Sequence, residues 1–200
     1  MRKMYKSRRM TAAQREEAVR ARQDRHLPWH APPHFGVDRN VYILTGACYE
    51  HQPYLATPGR RDAWRDALLA AFDDAEADVR AWVVLPNHWH VLACVELPGF
   101  RTLIGRLNNA TSSVWNREDE AIGRKVWHGF SDRRIRNDRH YFATINYIHA
   151  NPVKHEYVKD SRDWPWSSVH AYLAEVGRDR LKEWWNEYPV REYGKGWDAM

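Results

Sequence analysis

The sequence predicts an α+β domain built on an antiparallel sheet, and two observations support this prediction. The first is a pair of apolar runs, residues 81–85 and 91–95, which are rich in Val, Leu and Trp and flank a Pro-Asn turn. Runs of this kind are typical of two consecutive strands. The second is the spacing of apolar residues by three and four within residues 60–78 and 100–116, which predicts two amphipathic helices.

The remaining elements complete an alternating order. Residues 41–50 read as the first strand, and residues 123–139 read as a fourth strand or a hairpin. Asp138 can cap a third helix over 139–150, which the Asn151-Pro152 pair would end. The order β-α-β-β-α-β matches a ferredoxin-like core, which a third helix and a short helical extension follow. In that topology the third strand lies inside the sheet.

Composition limits the function classes. The chain has 200 residues, a net charge of +5 and a pI near 9.3, which suits a polyanionic partner. Its 11 Trp exceed what a core of this size needs, so some are expected to stack on unpaired bases. The two cysteines lack a CxxC spacing and are expected to be reduced core thiols, as in a cytoplasmic protein. No apolar run reaches the roughly 20 residues of a membrane span.

Three segments are predicted. Residues 1–37 form a basic N-terminal extension, with a helix over about 12–25 and a linker rich in Pro and His. Residues 38–160 form the main domain. Residues 161–200 form a helical extension with short helices to about 175 and over 178–187, and then a tail.

The triplet His88-Trp89-His90 places two imidazoles on one face of the third strand, because side chains alternate along a strand. Two imidazoles so placed can close on one metal ion. On the third helix, Tyr147 and Asn151 are four residues apart and lie beside the apolar arc. A tyrosine hydroxyl and an amide oxygen would then complete a metal site with a nucleophile beside it.

At these residues the sequence resembles a known family. His88-Trp89-His90 is an HUH motif, in which U is a bulky hydrophobic residue, and residues 146–155 resemble the catalytic helix of REP-associated tyrosine transposases. Those proteins are relatives of the single-tyrosine HUH transposases of insertion sequences. Residues 81–86 and the WPWSS run at 164–168 fit the same pattern, so the resemblance covers about residues 41 to 173.

The resemblance implies a role for each matching residue. His88, His90 and Asn151 would bind Mg²⁺ or Mn²⁺, and Tyr147 would be the nucleophile. The implied activity is a metal-dependent single-stranded DNA endonuclease and strand transferase. It would cleave hairpin-forming repetitive extragenic DNA through a 5′-phosphotyrosine, as a monomer or a homodimer, in the bacterial cytoplasm at the nucleoid.

Interleaved basic and aromatic residues predict where single-stranded DNA would bind. Within residues 123–139 these are Trp127, Arg133, Arg134 and Arg136, and on the second helix Arg106 could meet phosphate. The core face of that helix is predicted to comprise Leu103, Ile104, Leu107, Ala110 and Val114.

Three alternatives share parts of this pattern. A replication-initiator nickase of the HUH type would use the same chemistry. A non-catalytic single-stranded nucleic-acid-binding protein would keep the fold and behave identically with and without divalent metal. A metal phosphohydrolase acting on small molecules would leave no protein–DNA adduct.

Overall fold

The computed structural model describes residues 39–190, 193 and 194, so the N-terminal extension and its helix at 12–25 lie outside the described residues. Four strands and five helices are named here in chain order. They are β1 Asn40–Ala47, α1 Pro58–Asp74, β2 Asp78–Val84, β3 His88–Val95, α2 Leu97–Glu118, β4 Ser131–Arg134, α3 Asp138–Lys154, α4 Val169–Val176 and α5 Arg178–Glu187.

The four strands form one antiparallel sheet in the order β2-β3-β1-β4. This order confirms the predicted ferredoxin-like core, with β1 and β3 in the interior. The register places Ala47 opposite His88 and Thr45 opposite His90. Because directly paired residues of antiparallel strands share a face, Thr45 and Ala47 lie on the same face as the two histidines.

Helices α1 and α2 cover the face of the sheet that carries Trp89, Val91, Ala93 and Val95. A tryptophan cluster fills this layer, and the ring of Trp64 lies 4.1 Å from that of Trp127 and 6.2 Å from that of Trp115. All the Trp residues in the described part of the chain are buried or half-buried. The expectation that surplus indoles remain for base stacking is therefore wrong for these residues, because the core uses them.

Helices α3, α4 and α5 cover the opposite face, where Leu92 and Cys94 point. Trp164 and Trp184 join this layer, so the helical extension that begins near residue 161 is packed into the same core as α3. Helix α3 contacts β2 and β3 directly and leaves β1 and β4 less covered. The sheet thus lies between two helical layers, and α3 lies over the histidine face.

Three local predictions are corrected. The hairpin over 123–139 is absent, because Val126 and Trp127 are buried in the tryptophan layer. Trp127 forms an isolated bridge with Cys48, and the strand β4 comprises Ser131–Arg134. Helix α3 continues past Asn151 to Lys154, because Pro152 falls in its last turn and removes just one backbone donor. Its N-cap is Asn137, whose side chain accepts a hydrogen bond from the backbone N–H of His140 at 2.8 Å.

Helix α2 also differs from its predicted core face. Ile104 is buried as expected, but Val114 is 46% exposed, and Phe100, Trp115 and Asn116 are buried instead. The 22-residue helix extends further at both ends than predicted, and its buried stripe follows the larger aromatic side chains. Among the described residues, no helix is both long and apolar enough to cross a membrane.

Candidate active site

The two histidines of β3 lie side by side beneath helix α3. Their ring centroids are 5.1 Å apart, and His88 is 2% exposed while His90 is fully buried. Helix α3 brings Tyr147 and Asn151 to the same place, both fully buried. The spacing of four residues puts them one helical turn apart on the side of α3 that faces β3.

Each histidine meets one of the helix residues through its Nε2 atom. The Nε2 of His88 lies 3.1 Å from the Oδ1 of Asn151, and the Nε2 of His90 lies 3.3 Å from the hydroxyl of Tyr147. The four residues predicted for the metal site and the nucleophile are thus brought together. Asn151 points back toward the histidines although a proline follows it.

Asn87 determines which nitrogen of His88 carries the proton. The amide nitrogen of Asn87 donates to the carbonyl of His51 at 3.2 Å, so its Oδ1 accepts from Nδ1 of His88 at 2.7 Å. In its neutral form His88 then presents an unprotonated Nε2 to the Oδ1 of Asn151, and both atoms carry lone pairs. Such a convergence of acceptors is stabilised by a cation, and it fits a divalent metal held by two imidazoles and an amide oxygen.

Thr45 plays the corresponding part for His90. Its hydroxyl oxygen lies 2.7 Å from Nδ1 of His90. When His90 donates from Nδ1, its Nε2 is left as an acceptor facing Tyr147. Both histidines are thus held by their Nδ1 atoms and present Nε2 to the site, as metal-binding histidines commonly do.

For the DNA cleavage that the resemblance implies, replacing Thr45 with Val should lower the rate about 10- to 100-fold, because the orientation of His90 is no longer fixed. Single-turnover cleavage of hairpin DNA measures this effect, and binding of the uncleaved DNA should stay within about twofold. Thr45→Ser retains the hydroxyl and should restore most of the rate. Equal rates for Thr45→Val and the unmodified chain would exclude this role.

Two known proteins are similar to this chain over its central part. A REP-associated tyrosine transposase of Escherichia coli (strain K12) is 35% identical over 117 residues, which is 55% of this chain and 65% of that protein. A relative of the same kind from Haemophilus influenzae is 41% identical over 118 residues, which is 54% of this chain and 67% of that protein. The chain belongs to the REP-associated tyrosine transposase family. The similarity thus spans about two thirds of each relative's length, and no family model matches the chain.

The fold of this chain agrees with that of a solved relative. A REP-associated tyrosine transposase bound to a REP hairpin superimposes with a TM-score of 0.58 and 23% identity, covering 74% of this chain and 88% of that one. The structural match confirms the α+β architecture predicted from the sequence.

The candidate site contains two further residues: Lys154, for which the sequence predicted no role, and His155, which lies in the run that resembles the family's catalytic helix. The Nζ of Lys154 lies 5.0 Å from the ring centroid of Tyr147, and the ring of His155 lies 4.9 Å from that of His88. Lys154 lies seven residues after Tyr147, two helical turns on, so a helix continued through Pro152 would have indicated it. Asn87 was assigned to turn chemistry alone, and Thr45 required the strand register.

His149 is a packing residue of α3. It is fully buried, its Nε2 lies 3.0 Å from the hydroxyl of Ser168, and its ring packs on Tyr172. Burial lowers the pKa of His149 to about 3, so the ring stays neutral at physiological pH.

A C-terminal segment, here Tyr193 and Gly194, packs on the predicted nucleophile. A Cβ atom at Gly194 would lie 2.2 Å from Cε2 of Tyr147, and the ring of Tyr193 lies 5.6 Å from that of Tyr147. The hydroxyls of Tyr193 and Thr144 form a hydrogen bond, and Lys154 donates to the carbonyl of Gly194 at 3.3 Å. These contacts contribute to the complete burial of Tyr147.

Replacing Gly194 with Val should displace this segment, because the added side chain overlaps Tyr147 and because Gly194 has a φ of +76°. The displaced segment would lose the hydrogen bonds to Thr144 and Lys154, which are worth about 1 kcal/mol each. Tyr147 should then be uncovered more often, so cleavage should accelerate several-fold. Pre-steady-state cleavage of hairpin DNA measures this rate. Gly177→Val, at φ +76° in an open position, is the control for backbone strain alone. Unchanged cleavage in Gly194→Val would show that this segment does not limit access.

The predicted DNA-binding residues do not share one surface. Arg133 pairs with Ile43 and so lies on the histidine face, whereas Arg134 pairs with Tyr42 and lies on the other face. Arg136 is exposed just after β4. Arg106 is exposed on α2, in the layer across the sheet from Tyr147.

The prediction that Trp127 binds DNA is corrected. Its side chain is 7% exposed, packs on Trp64 and donates from its indole nitrogen to Thr111 at 2.9 Å. No base can stack on a ring so enclosed. Its sequence neighbours are basic because the loop around it is at the surface, whereas the indole points inward.

Proposed function

We propose that this chain is a metal-dependent single-stranded DNA endonuclease and strand transferase that cleaves hairpin-forming repetitive extragenic DNA. The observation that carries the proposal is the convergence of His88, His90 and Asn151 beside the hydroxyl of Tyr147. Family membership supports the reaction class, and the solved relative bound to a REP hairpin supports the substrate class.

His88, His90 and Asn151 would hold the metal, with Nε2, Nε2 and Oδ1 as donor atoms. The described residues contain no group of three His, Cys, Asp or Glu placed to bind an ion, so this donor set includes no carboxylate. Imidazole and amide donors suit Mn²⁺ better than Mg²⁺, which prefers oxygen ligands. When bound, a divalent ion supplies Lewis-acid polarisation of a non-bridging phosphate oxygen.

Tyr147 attacks the phosphorus of the scissile phosphodiester in this proposal. A new bond forms between the phenolic oxygen and phosphorus, and the bond from phosphorus to the 3′ oxygen breaks. The departing 3′ oxygen takes up a proton, so the products are a 5′-phosphotyrosine and a free 3′-OH. A free tyrosine has a pKa of about 10, so its proton must leave during attack.

One neighbour of Tyr147 favours this loss of a proton. The ammonium of Lys154 lies 5.0 Å from the ring centroid of Tyr147, whereas the lone pair on Nε2 of His90, 3.3 Å from the hydroxyl, is committed to the metal in this proposal. A positive charge close to the phenol stabilises the phenolate that forms. Lys154 is better placed for this role than Arg134, which lies on the opposite face of the sheet.

The phosphotyrosine keeps the free energy of the phosphodiester. Attack by another 3′-OH on the same phosphorus restores a phosphodiester and frees Tyr147, so strand joining needs no ATP. One tyrosine holds one strand, so two cleavages require two successive reactions or two copies of the chain.

Incubation with end-labelled single-stranded hairpin DNA and Mn²⁺, followed by a denaturing gel, tests the proposal. We expect a protease-sensitive band that migrates as protein joined to DNA, and its loss when EDTA replaces the metal. A non-catalytic binder would give no such band under either condition, and a small-molecule phosphohydrolase would cleave without forming it. Nicking of any origin sequence without a hairpin preference would favour the replication-initiator alternative.

A further inference from the structure

A cleft of about 230 Å³ opens beside His88, on the side away from Tyr147. Its walls include Thr45 and Ser131 of the sheet, Tyr49 and His51 of the turn after β1, and His128 of the loop before β4. Pockets for drug-sized ligands span about 300 to 1,000 Å³, so this cleft suits a smaller group.

The cleft exists because α3 does not cover the whole histidine face. The helix packs on β2 and β3, whereas β1 and β4 continue the same face beyond it. Thr45 and Ser131 are paired across β1 and β4, so they form a floor continuous with the metal-binding histidines. A strand that places a phosphate at His88 would bring its next nucleotide over this floor.

Aromatic rings offer the cleft a stacking surface. The rings of Tyr49 and His128 are nearly parallel, with an angle of 11° and centroids 6.5 Å apart. Aromatic carbons in direct contact are about 3.5 to 4.0 Å apart, whereas these centroids are 6.5 Å apart. The two rings therefore do not lie directly over one another, and part of the face of each ring is left for a base. The Nζ of Lys125 lies 4.4 Å from the ring centroid of Tyr49, where it could also meet a phosphate at the rim.

Polar groups in the wall match a base better than a phosphate. The Nε2 of His51 is buried and finds no hydrogen-bond partner among the residues that the structure describes. The carboxylate of Glu50 also lines the cleft, and it would repel an anion but accept from the exocyclic amine of a base. Both groups are available to read the edge of a planar heterocycle.

The turn that carries these groups is held in a costly conformation. Glu50 and His51 have φ values of +51° and +53°, and neither is glycine. Non-glycine residues are disfavoured in the left-handed region, because their Cβ atom comes too close to the following carbonyl oxygen. Such strain concentrates at ligand sites, where it fixes the direction of particular side chains.

We propose that this cleft receives one unpaired base of the DNA, that of a nucleotide adjacent to the phosphate at His88. Tyr49 stacks on the base, and His51 and Glu50 contact its edge. This inference rests on the proposed function and adds to it a site that selects the position of cleavage. A base with an exocyclic amine is favoured over thymine.

An abasic scan in a non-cleaving background tests the inference. Affinity is measured for REP-type hairpin DNAs in which each single-stranded flanking nucleotide is made abasic in turn, with Tyr147→Phe as the protein. One position should lose roughly tenfold in affinity, as expected for one stacked base. Adding Tyr49→Leu should lower the affinity for the intact DNA by a similar factor. In that variant, making the sensitive position abasic should cause no further loss of affinity.

Tyr54→Leu is the matched control, because Tyr54 is half-buried and also carries a cation, Arg124, 4.4 Å from its ring centroid, yet does not line the cleft. It should leave both the affinity and the abasic pattern unchanged. The inference would be overturned if Tyr49→Leu and the abasic site each lowered the affinity by their full factor when combined. It would also be overturned if no abasic position lowered the affinity. Absence of an adduct in the unsubstituted chain, with the coupled loss intact, would instead refute the proposed function alone.

Discussion

Replacing Tyr147 with Phe is expected to abolish the covalent protein–DNA adduct while leaving the affinity for uncleaved hairpin DNA within about threefold. The substitution removes only the attacking oxygen, and loss of a catalytic nucleophile can reduce turnover by on the order of 10⁶. The fold should persist, because the ring still fills its buried position and one hydrogen bond to His90 is worth about 1 kcal/mol. Denaturing gels measure the adduct, and fluorescence anisotropy measures binding.

Tyr141→Phe is the control for this experiment. Tyr141 lies on the same helix and is fully buried. It is six residues from Tyr147 and does not belong to the group formed by His88, His90, Tyr147 and Asn151. This variant should form the adduct at nearly the rate of the unsubstituted chain. An adduct of undiminished yield in Tyr147→Phe would rule out Tyr147 as the nucleophile.

Replacing Asn151 with Leu is expected to lower cleavage by about 10²-fold at limiting Mn²⁺. The substitution keeps the volume close to constant but removes the amide oxygen that lies 3.1 Å from Nε2 of His88. Raising the Mn²⁺ concentration should recover part of the rate, since a ligand rather than the nucleophile has been lost. A titration of Mn²⁺ against single-turnover cleavage measures the shift in half-saturation.

Asn146→Leu separates this effect from general destabilisation. Asn146 is also buried on α3, where its amide donates to the carbonyls of Trp184 and Tyr188 at 3.0 and 2.8 Å. Its replacement should lower the free energy of unfolding without moving the Mn²⁺ half-saturation. The same Mn²⁺ half-saturation in Asn151→Leu as in the unsubstituted chain would exclude Asn151 as a ligand.

The residues of the site could be predicted because two local rules determine their directions. Alternation along β3 fixes the shared face of His88 and His90, and the spacing of four residues fixes the shared side of Tyr147 and Asn151. The apolar faces then required α3 to lie on the sheet. The supporting residues could not be read in this way, since Thr45 depends on the register of β1 and Gly194 on the return of the distant C-terminal segment.

The errors have a common physical origin. The prediction for residues 123–139 weighed composition, in which Trp127 and the arginines alternate as they would in an exposed strand. Composition does not record that Trp64, Trp89 and Trp115 already form a buried surface for another indole on the opposite side of the sheet. The predicted end of α3 at Asn151-Pro152 was wrong for a related reason. A proline in the last turn costs one hydrogen bond, and the helix still buries its apolar side when it continues to Lys154.

Peptide mass spectrometry of the trapped adduct locates the covalent bond between protein and DNA most directly. The chain is incubated with hairpin DNA and Mn²⁺, denatured, and digested with nuclease and trypsin. We expect the phosphonucleotide mass on the peptide that contains Tyr147, with fragment ions that place it on that residue. A modified peptide from elsewhere in the chain, or cleaved DNA without any modified peptide, would contradict the assignment of Tyr147 as the nucleophile.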